Sequence, residues 1–333
     1  MSQIAILGTG TWGSALARIL VLNGHRVRMW SKFDEEVREM KQTRRNKNLP
    51  DMEIPSSILI TSKPDEVLED ADFTLMVVPS VFVRSTTALM APFLPEKTVM
   101  VCASKGIEAD TGLLLTEVME DELRKNHVSV RAMAALSGPT HAEEVARDLP
   151  TLIVSACQDL EIAREIQHLF DGTCIRPYAN TDLRGVEICG ALKNVEALAV
   201  GIARGLGYGD NTCAAMMTRG MEEIRRLGLA MGCSERTFFG LAGIGDLIVT
   251  ATSVHSRNNR CGTLIGKGRP VGEAVKEVGM VVEGINTLPA AVSLCRTHGM
   301  EMPIIDAVRE VVENGARPDE IVRDLMNRKL KEE

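Results

Sequence analysis

The chain has 333 residues, 45% hydrophobic and 25% charged, with a formal net charge of −7. This length and composition suit a globular protein of two domains, each able to bury a core of its own. An acidic balance with no basic block excludes a nucleic-acid footprint, and no apolar run reaches the length of a membrane span, so an integral membrane protein is not expected.

The first element is a strand, Gln3-Ile4-Ala5-Ile6-Leu7, that runs directly into Gly8-Thr9-Gly10-Thr11-Trp12-Gly13. A helical pattern carried by Leu16, Ile19 and Leu20 follows, then an Asn23-Gly24 stop and a second strand over 26–30. Strand, glycine turn, helix and strand in that order describe a dinucleotide seat, and the flanking elements set it apart from glycines of an ordinary turn. Gly8 permits the tight turn, Gly10 lets a pyrophosphate approach the backbone, and Gly13 lets the helix lie close to its strand. The phosphates would rest on free N–H groups at the helix start.

The second strand ends Met29-Trp30-Ser31-Lys32, without the acid that usually binds the ribose 2′-hydroxyl of NAD. A carboxylate there would repel a 2′-phosphate, whereas Lys32 would pair with it, so NADP is favoured over NAD. The alternative is a solvated Lys32 with Asp34 or Glu35 reaching the ribose. Lysine is a point charge rather than a fork, which keeps the preference modest.

Further strands are expected at 58–60, 73–78, 99–103, 131–135 and 152–155, separated in part by helices at 34–42, 81–89 and 111–124. Such alternation predicts a parallel, doubly wound sheet of Rossmann type, with Pro79 and Pro139 in loops at strand ends. From Gly185 onward the strands vanish. Ile188, Leu192, Val195, Ala199 and Ile202 recur at helical steps, with a small-residue stripe of Gly190, Asn194, Ala197 and Gly201 on another face. More helices are expected at 211–227, 258–265, 271–277, 287–297 and 302–313, punctuated by glycine-rich loops at 205–209, 240–245 and 266–268. The fold class is therefore α/β, with residues 1–184 as a dinucleotide-binding Rossmann domain and residues 185–333 as an all-helical substrate and catalytic domain. Residues 328–333 are expected to form a fraying tail.

Eight scattered cysteines, never spaced as CxxC, fit reduced thiols of a cytoplasmic protein. Opening directly on a fold-forming strand leaves no expected cleavable leader. Neither these cysteines nor the six histidines cluster as zinc ligands, so no metal is expected.

Four polar clusters sit in loop-like or small-residue contexts: Ala103-Ser104-Lys105-Gly106, Ser137-Gly138-Pro139-Thr140-His141-Ala142, Lys193-Asn194, and Gly243-Ile244-Gly245-Asp246 with Ser256-Arg257-Asn258 beyond it. Each has a bland explanation, as a surface charge, a turn or a helix cap. Together they suit reduction of a ketone, which needs a proton donor beside the carbonyl oxygen. A lysine in a dry pocket has its charged form disfavoured, which brings its proton within reach near neutrality. Lys193 fits that role, with Lys105 acting in the same direction and Asp246 orienting it. Arg257 with Asn258, at a helix start, would receive a substrate phosphate.

At these residues the sequence resembles the NAD(P)-dependent glycerol-3-phosphate dehydrogenases, the bacterial biosynthetic type in particular. The motifs run in family order: 8–17, 77–80, 104–108, 137–140, 190–194, 218–220, 242–246, 256–258 and 282–284. The resemblance implies interconversion of dihydroxyacetone phosphate and sn-glycerol 3-phosphate for glycerophospholipid synthesis, and a homodimer. It implies Lys193 as the proton donor and acceptor, and Lys105 in contact with both substrate and cofactor. Gly138, Thr140, Asp246, Ser256, Arg257 and Asn258 fall at substrate positions. Thr11, Trp12, Lys32, Ala142, Val281 and Glu283 fall at cofactor positions, with Arg257 shared. His141 stands where relatives carry an aromatic and is assigned to packing.

Two rival functions remain at this stage. Another two-domain hydroxyacid or ketopantoate-type reductase would share the glycine turn and a helix-borne lysine, but would not require the Ser256-Arg257-Asn258 receptor. A non-catalytic nicotinamide-sensing protein would leave Lys193, Asp246 and Lys105 without a task.

Overall fold

The structure, a computed structural model, describes residues 1–329; the last part of the expected tail, residues 330–333, lies outside the described residues. The chain divides into two compact units. One comprises Met1–Lys105 and Leu114–Glu187, the other Gly106–Leu113 and Ile188–Glu333.

The first unit is built on strands β1 (Gln3–Leu7), β2 (Arg26–Trp30), β3 (Arg45–Asn46), β4 (Leu49–Glu53), β5 (Leu59–Thr61), β6 (Phe73–Met76), β7 (Val99–Cys102), β8 (Ala132–Ser137), β9 (Thr151–Ala156) and β10 (Ile175–Asn180). Eight of them form one sheet in the order β10-β9-β8-β7-β6-β1-β2-β5, and β3 and β4 form a separate hairpin. β1, β6 and β7 are apolar and almost wholly buried, as central strands covered on both faces must be. β1 pairs with β2 on one side and β6 on the other, both parallel. The chain therefore winds outward in both directions from β1, and the gap between β1 and β6 is the switch point where such sheets bind ligands.

The sheet departs from the all-parallel expectation at one place. β9 runs antiparallel to β8, and β10 follows β9 in parallel. The segment joining β8 to β9 carries only the one-turn helix Ala142–Val145. An antiparallel return needs no crossover helix, and here the chain doubles back beside β8. β10 itself was not expected from sequence, because Pro177 interrupts its pattern. As the outermost strand, β10 tolerates a residue with no N–H to donate.

The second unit has no strand among its described residues. Helix Leu183–Gly205 carries the chain into it, and from Ile188 to Ala203 every residue is buried. That is the environment of a central helix surrounded by others, not of a helix with a single core-facing stripe. Its small residues meet helix Arg257–Gly266 almost backbone to backbone. A Cβ on Gly201 would run into Asn259 O, and one on Gly262 into Leu198 O. The expected loop at 240–245 is instead a wide π-helical turn, Leu241–Gly245, leading directly into helix Asp246–Thr252. Helix Pro318–Met326, also unexpected, is the last element described. No single helix among the described residues is long and apolar enough to cross a membrane.

Candidate active site

In the first unit, the glycine turn sits at the switch point of the sheet. Gly8 has φ +122°, and a Cβ there would lie 2.8 Å from Val77 O. Its N–H donates to Trp30 O at 2.9 Å, while Val77 N–H donates to Leu7 O at 2.9 Å, so the turn is pinned to both neighbouring strands. Gly13 lies in the helix Thr11–Leu22, where a Cβ would collide with Gly8 O. Gly10 is different, since nothing lies within 4 Å of where its Cβ would be. It precedes the helix with no side-chain cap, and Thr11 and Trp12, both half-buried, begin the helix. Gly8 and Gly13 are therefore demanded by the protein's own packing, whereas Gly10 faces open space. A cradle of this shape fits a pyrophosphate against the helix N-terminus.

One residue of this turn's support escaped the sequence reading. Asn46 Nδ2 donates to Thr9 O at 2.6 Å, and Ser14 Oγ donates to the same carbonyl at 3.2 Å. An isolated asparagine in a polar stretch carries no signal of that role.

Lys32 is exposed, two residues beyond the end of β2. Asp34 and Glu35, in the first turn of helix Asp34–Thr43, are exposed beside it. Ser31 Oγ donates to Glu36 Oε2 at 2.5 Å, which fixes the bend between strand and helix.

Three of the expected residues meet past the ends of β7 and β8. Lys105 Nζ and Thr140 Oγ1 each donate to Gly138 O, both at 3.1 Å. Gly138 has φ +138°, and a side chain there would press on the Ile153 backbone at 3.0 Å. Ala142 is buried at the start of helix Ala142–Val145, with His141 just before it.

In the second unit, Lys193 is 5% exposed and Asp246 1%. Lys193 Nζ donates to Asp246 Oδ1 at 2.5 Å and to Thr250 Oγ1 at 2.5 Å. Asp246 and Thr250 are four residues apart on helix Asp246–Thr252 and so share a face. Thr250 was missed from sequence, where a threonine in this helix carries no sign of its bond to Lys193. Charges taken out of water are costly unless closely paired. This pair therefore holds an ammonium group in a fixed, dry position.

Ser256 caps helix Arg257–Gly266, its Oγ accepting the Asn259 N–H at 3.2 Å. Arg257 is exposed at the first turn. The helix-cap and anion-receptor readings thus coexist in one segment. Asn258 is buried, and its side chain works within the fold: Nδ2 donates to Asn194 Oδ1 and Oδ1 accepts the Gly284 N–H, both at 2.9 Å. That amide joins Lys193's helix to helix Glu283–Thr297, whose first residue is Glu283, with half-buried Val281 just ahead. The structure thus groups Lys193 with Asp246, Lys105 with Gly138 and Thr140, and Ser256, Arg257 and Asn258 with the start of the Glu283 helix.

A sequence profile described as NAD-dependent glycerol-3-phosphate dehydrogenase N-terminus matches residues 3–163, and its C-terminal counterpart matches residues 182–323. The chain belongs to the NAD-dependent glycerol-3-phosphate dehydrogenase family. It is 56% identical to glycerol-3-phosphate dehydrogenase [NAD(P)+] 2 of Lactobacillus delbrueckii subsp. bulgaricus, covering 100% of this chain and 99% of that protein. To glycerol-3-phosphate dehydrogenase [NAD(P)+] of Bacillus subtilis it is 44% identical, over 98% of this chain and 95% of the other. Among solved structures, the glycerol-3-phosphate dehydrogenase of Coxiella burnetii superimposes with a TM-score of 0.93 at 36% identity, covering 98% of this chain and 99% of that one. Like the rest of this family, the protein is an NAD(P)-dependent oxidoreductase with a Rossmann-type parallel-sheet domain and a largely helical C-terminal domain.

Proposed function

We propose that this dehydrogenase interconverts dihydroxyacetone phosphate and sn-glycerol 3-phosphate, supplying glycerophospholipid synthesis in the cytoplasm, and that it works as a homodimer. The observation carrying the reading is the buried Lys193 ammonium, held by Asp246 and Thr250. A group so placed can give a proton to an oxygen that gains negative charge, and take it back in the reverse direction. We assign residues 1–184 to the dinucleotide and residues 185–333 to substrate and proton transfer.

When bound, the nicotinamide cofactor supplies or accepts the hydride at the substrate's carbonyl carbon. The seat for it is Gly8, Gly10 and Gly13 with Thr11 and Trp12 at the helix start; Lys32, Ala142, Val281 and Glu283 supply further contacts. Lys32 favours NADP, because its charge would pair with a 2′-phosphate. Lys193 Nζ protonates the carbonyl oxygen as the alcohol forms. Asp246 keeps that ammonium aimed and partly offsets its charge. Lys105, held at Gly138 O, and Thr140 present polar groups to the substrate. Ser256, Arg257 and Asn258 receive its phosphate, with Arg257 also reaching the cofactor. The test is a spectrophotometric assay with dihydroxyacetone phosphate. Loss of NADPH or NADH absorbance at rates typical of enzymes supports the reading, whereas no turnover with either nicotinamide overturns it.

A further inference from the structure

The proposed chemistry leaves a second pair of buried acids unused. Glu196 lies three residues past Lys193 on the central helix; it is 0% exposed, and neither carboxylate oxygen has a hydrogen-bond partner among the described residues. Its carboxyl group is seated on Gly220 of helix Asp210–Ala230, where any Cβ would run into Oε2. Three residues on, along the same helix face, stands Glu223, 3% exposed. Its two oxygens accept the Ile304 N–H at 3.0 and 3.1 Å, at the start of helix Pro303–Val312. The pair thus joins three helices of one unit.

Among the described residues, the charge that raises the Glu196 carboxyl is that of Glu223. Arg219 and Arg226, on the helix of Glu223, act on Glu223. Helix Glu283–Thr297 contributes Cys295, which lies within the influence of both glutamates and of Asp306 on helix Pro303–Val312. Burial pushes that thiol up to about 12, so it stays neutral. Two neighbouring carboxyl groups in so dry a place cannot both carry charge.

We propose that Glu196 and Glu223 retain a proton between them and make this three-helix joint a pH-sensitive latch, tight while the proton is held and loosened when it leaves. Burial, reinforced by the charge of Glu223, holds the Glu196 carboxyl well above its ordinary value. Burial likewise raises Glu223 to about 7, against the opposing pull of the Ile304 N–H. In the unfolded chain both groups ionise near the ordinary value of 4.5. Above that value the folded protein therefore binds more protons than the unfolded one, and stability falls as pH rises. For Glu223 the fall is complete by about 7, and for Glu196 it continues beyond; below 4.5 neither group contributes a slope. Each retained proton shifts the unfolding equilibrium by up to about tenfold per pH unit. Glu187, in the other unit, is also raised to about 7 by burial and adds a similar background slope. Variants at Glu196 separate the two.

The experiment is urea unfolding of the full-length protein from about pH 5 to about pH 8.5, for the parent, Glu196→Leu and Glu196→Gln, with hydrogen exchange followed over residues 303–312. The expected result is that the parent loses stability with rising pH more steeply than either variant, by up to about tenfold in the unfolding constant per unit. Exchange over 303–312 should rise above its intrinsic pH dependence in the parent alone. Should Glu196→Leu fail to fold, Glu196→Gln carries the test, since it keeps the shape and removes the titration. Parallel pH curves for the parent and the folded variants would overturn the proposal.

Discussion

Lys193 and Asp246 form an ion pair 2.5 Å apart with side-chain exposures of only 6% and 1%. Lys63 with Glu66, by contrast, is a surface pair with both partners well exposed. A surface pair contributes little, whereas a buried one must offset the removal of two charges from water. A fold gains little by such an arrangement that apolar side chains would not supply. A dry, aimed ammonium is useful chemically.

Removing one partner should therefore cost far more than removing both. Asp246→Ala is expected to destabilise the protein by about 3–5 kcal/mol, because it strands a buried ammonium. The double replacement Lys193→Met with Asp246→Leu should recover most of that loss and have no turnover. Urea unfolding of the single and double variants checks this. A loss below about 1 kcal/mol for Asp246→Ala would mean that the pair is solvated.

The glycines of the first turn should separate by cause. Gly10→Ala has room within the protein and should fold with an unchanged melting temperature, yet weaken NAD(P)H binding by about tenfold or more, since its added methyl stands where the phosphates would approach. Gly13→Ala should lose stability itself, because its Cβ meets Gly8 O. Thermal melts with and without NADPH, beside fluorescence titration, distinguish the two; equal binding by Gly10→Ala and the parent would contradict the cradle.

Arg257→Ala should raise KM for dihydroxyacetone phosphate by roughly 10- to 100-fold, the worth of a charge-assisted hydrogen bond to phosphate. The effect on dihydroxyacetone, which lacks the phosphate, should be much smaller. Steady-state kinetics with both substrates checks it, and equal losses would argue for a hydroxyacid-type reductase in which Arg257 plays another part.

Lys32 is exposed, so its influence on cofactor choice should be small. Lys32→Ala is expected to lower kcat/KM for NADPH by about two- to fivefold and to leave NADH unchanged. Initial rates with the two cofactors side by side test this. An equal fall for both would point to Asp34 or Glu35 and the ribose instead.

The beginning of the fold was legible because the glycine turn dictates its own geometry: Gly8 needs a positive φ, and Gly13 admits no side chain. β1 and β2 accordingly occupy the spans expected. Strand direction was not legible, since β9 has an apolar pattern like that of the parallel strands of the sheet, and such a pattern carries no direction. Pro177 concealed β10, because a proline is admissible only at an edge and the edge is a property of the assembled sheet. In the second unit, glycine content at 240–245 suggested a loop, yet Gly243 is there to pack against the Phe238 backbone within a helical turn. Lys193 and Asp246 stood out as polar residues among small and apolar ones. Thr250 did not, because threonine is unremarkable in a buried helix until its hydroxyl is seen against Lys193 Nζ.

The central claim is that Lys193 moves the proton, and the most direct measurement is single-turnover reduction of dihydroxyacetone phosphate by Lys193→Ala, with NADPH affinity measured in parallel. The rate should fall by about 10²- to 10⁴-fold while the dissociation constant for NADPH stays within about threefold of the parent. A variant that reduces the substrate at a near-parental rate would contradict the account.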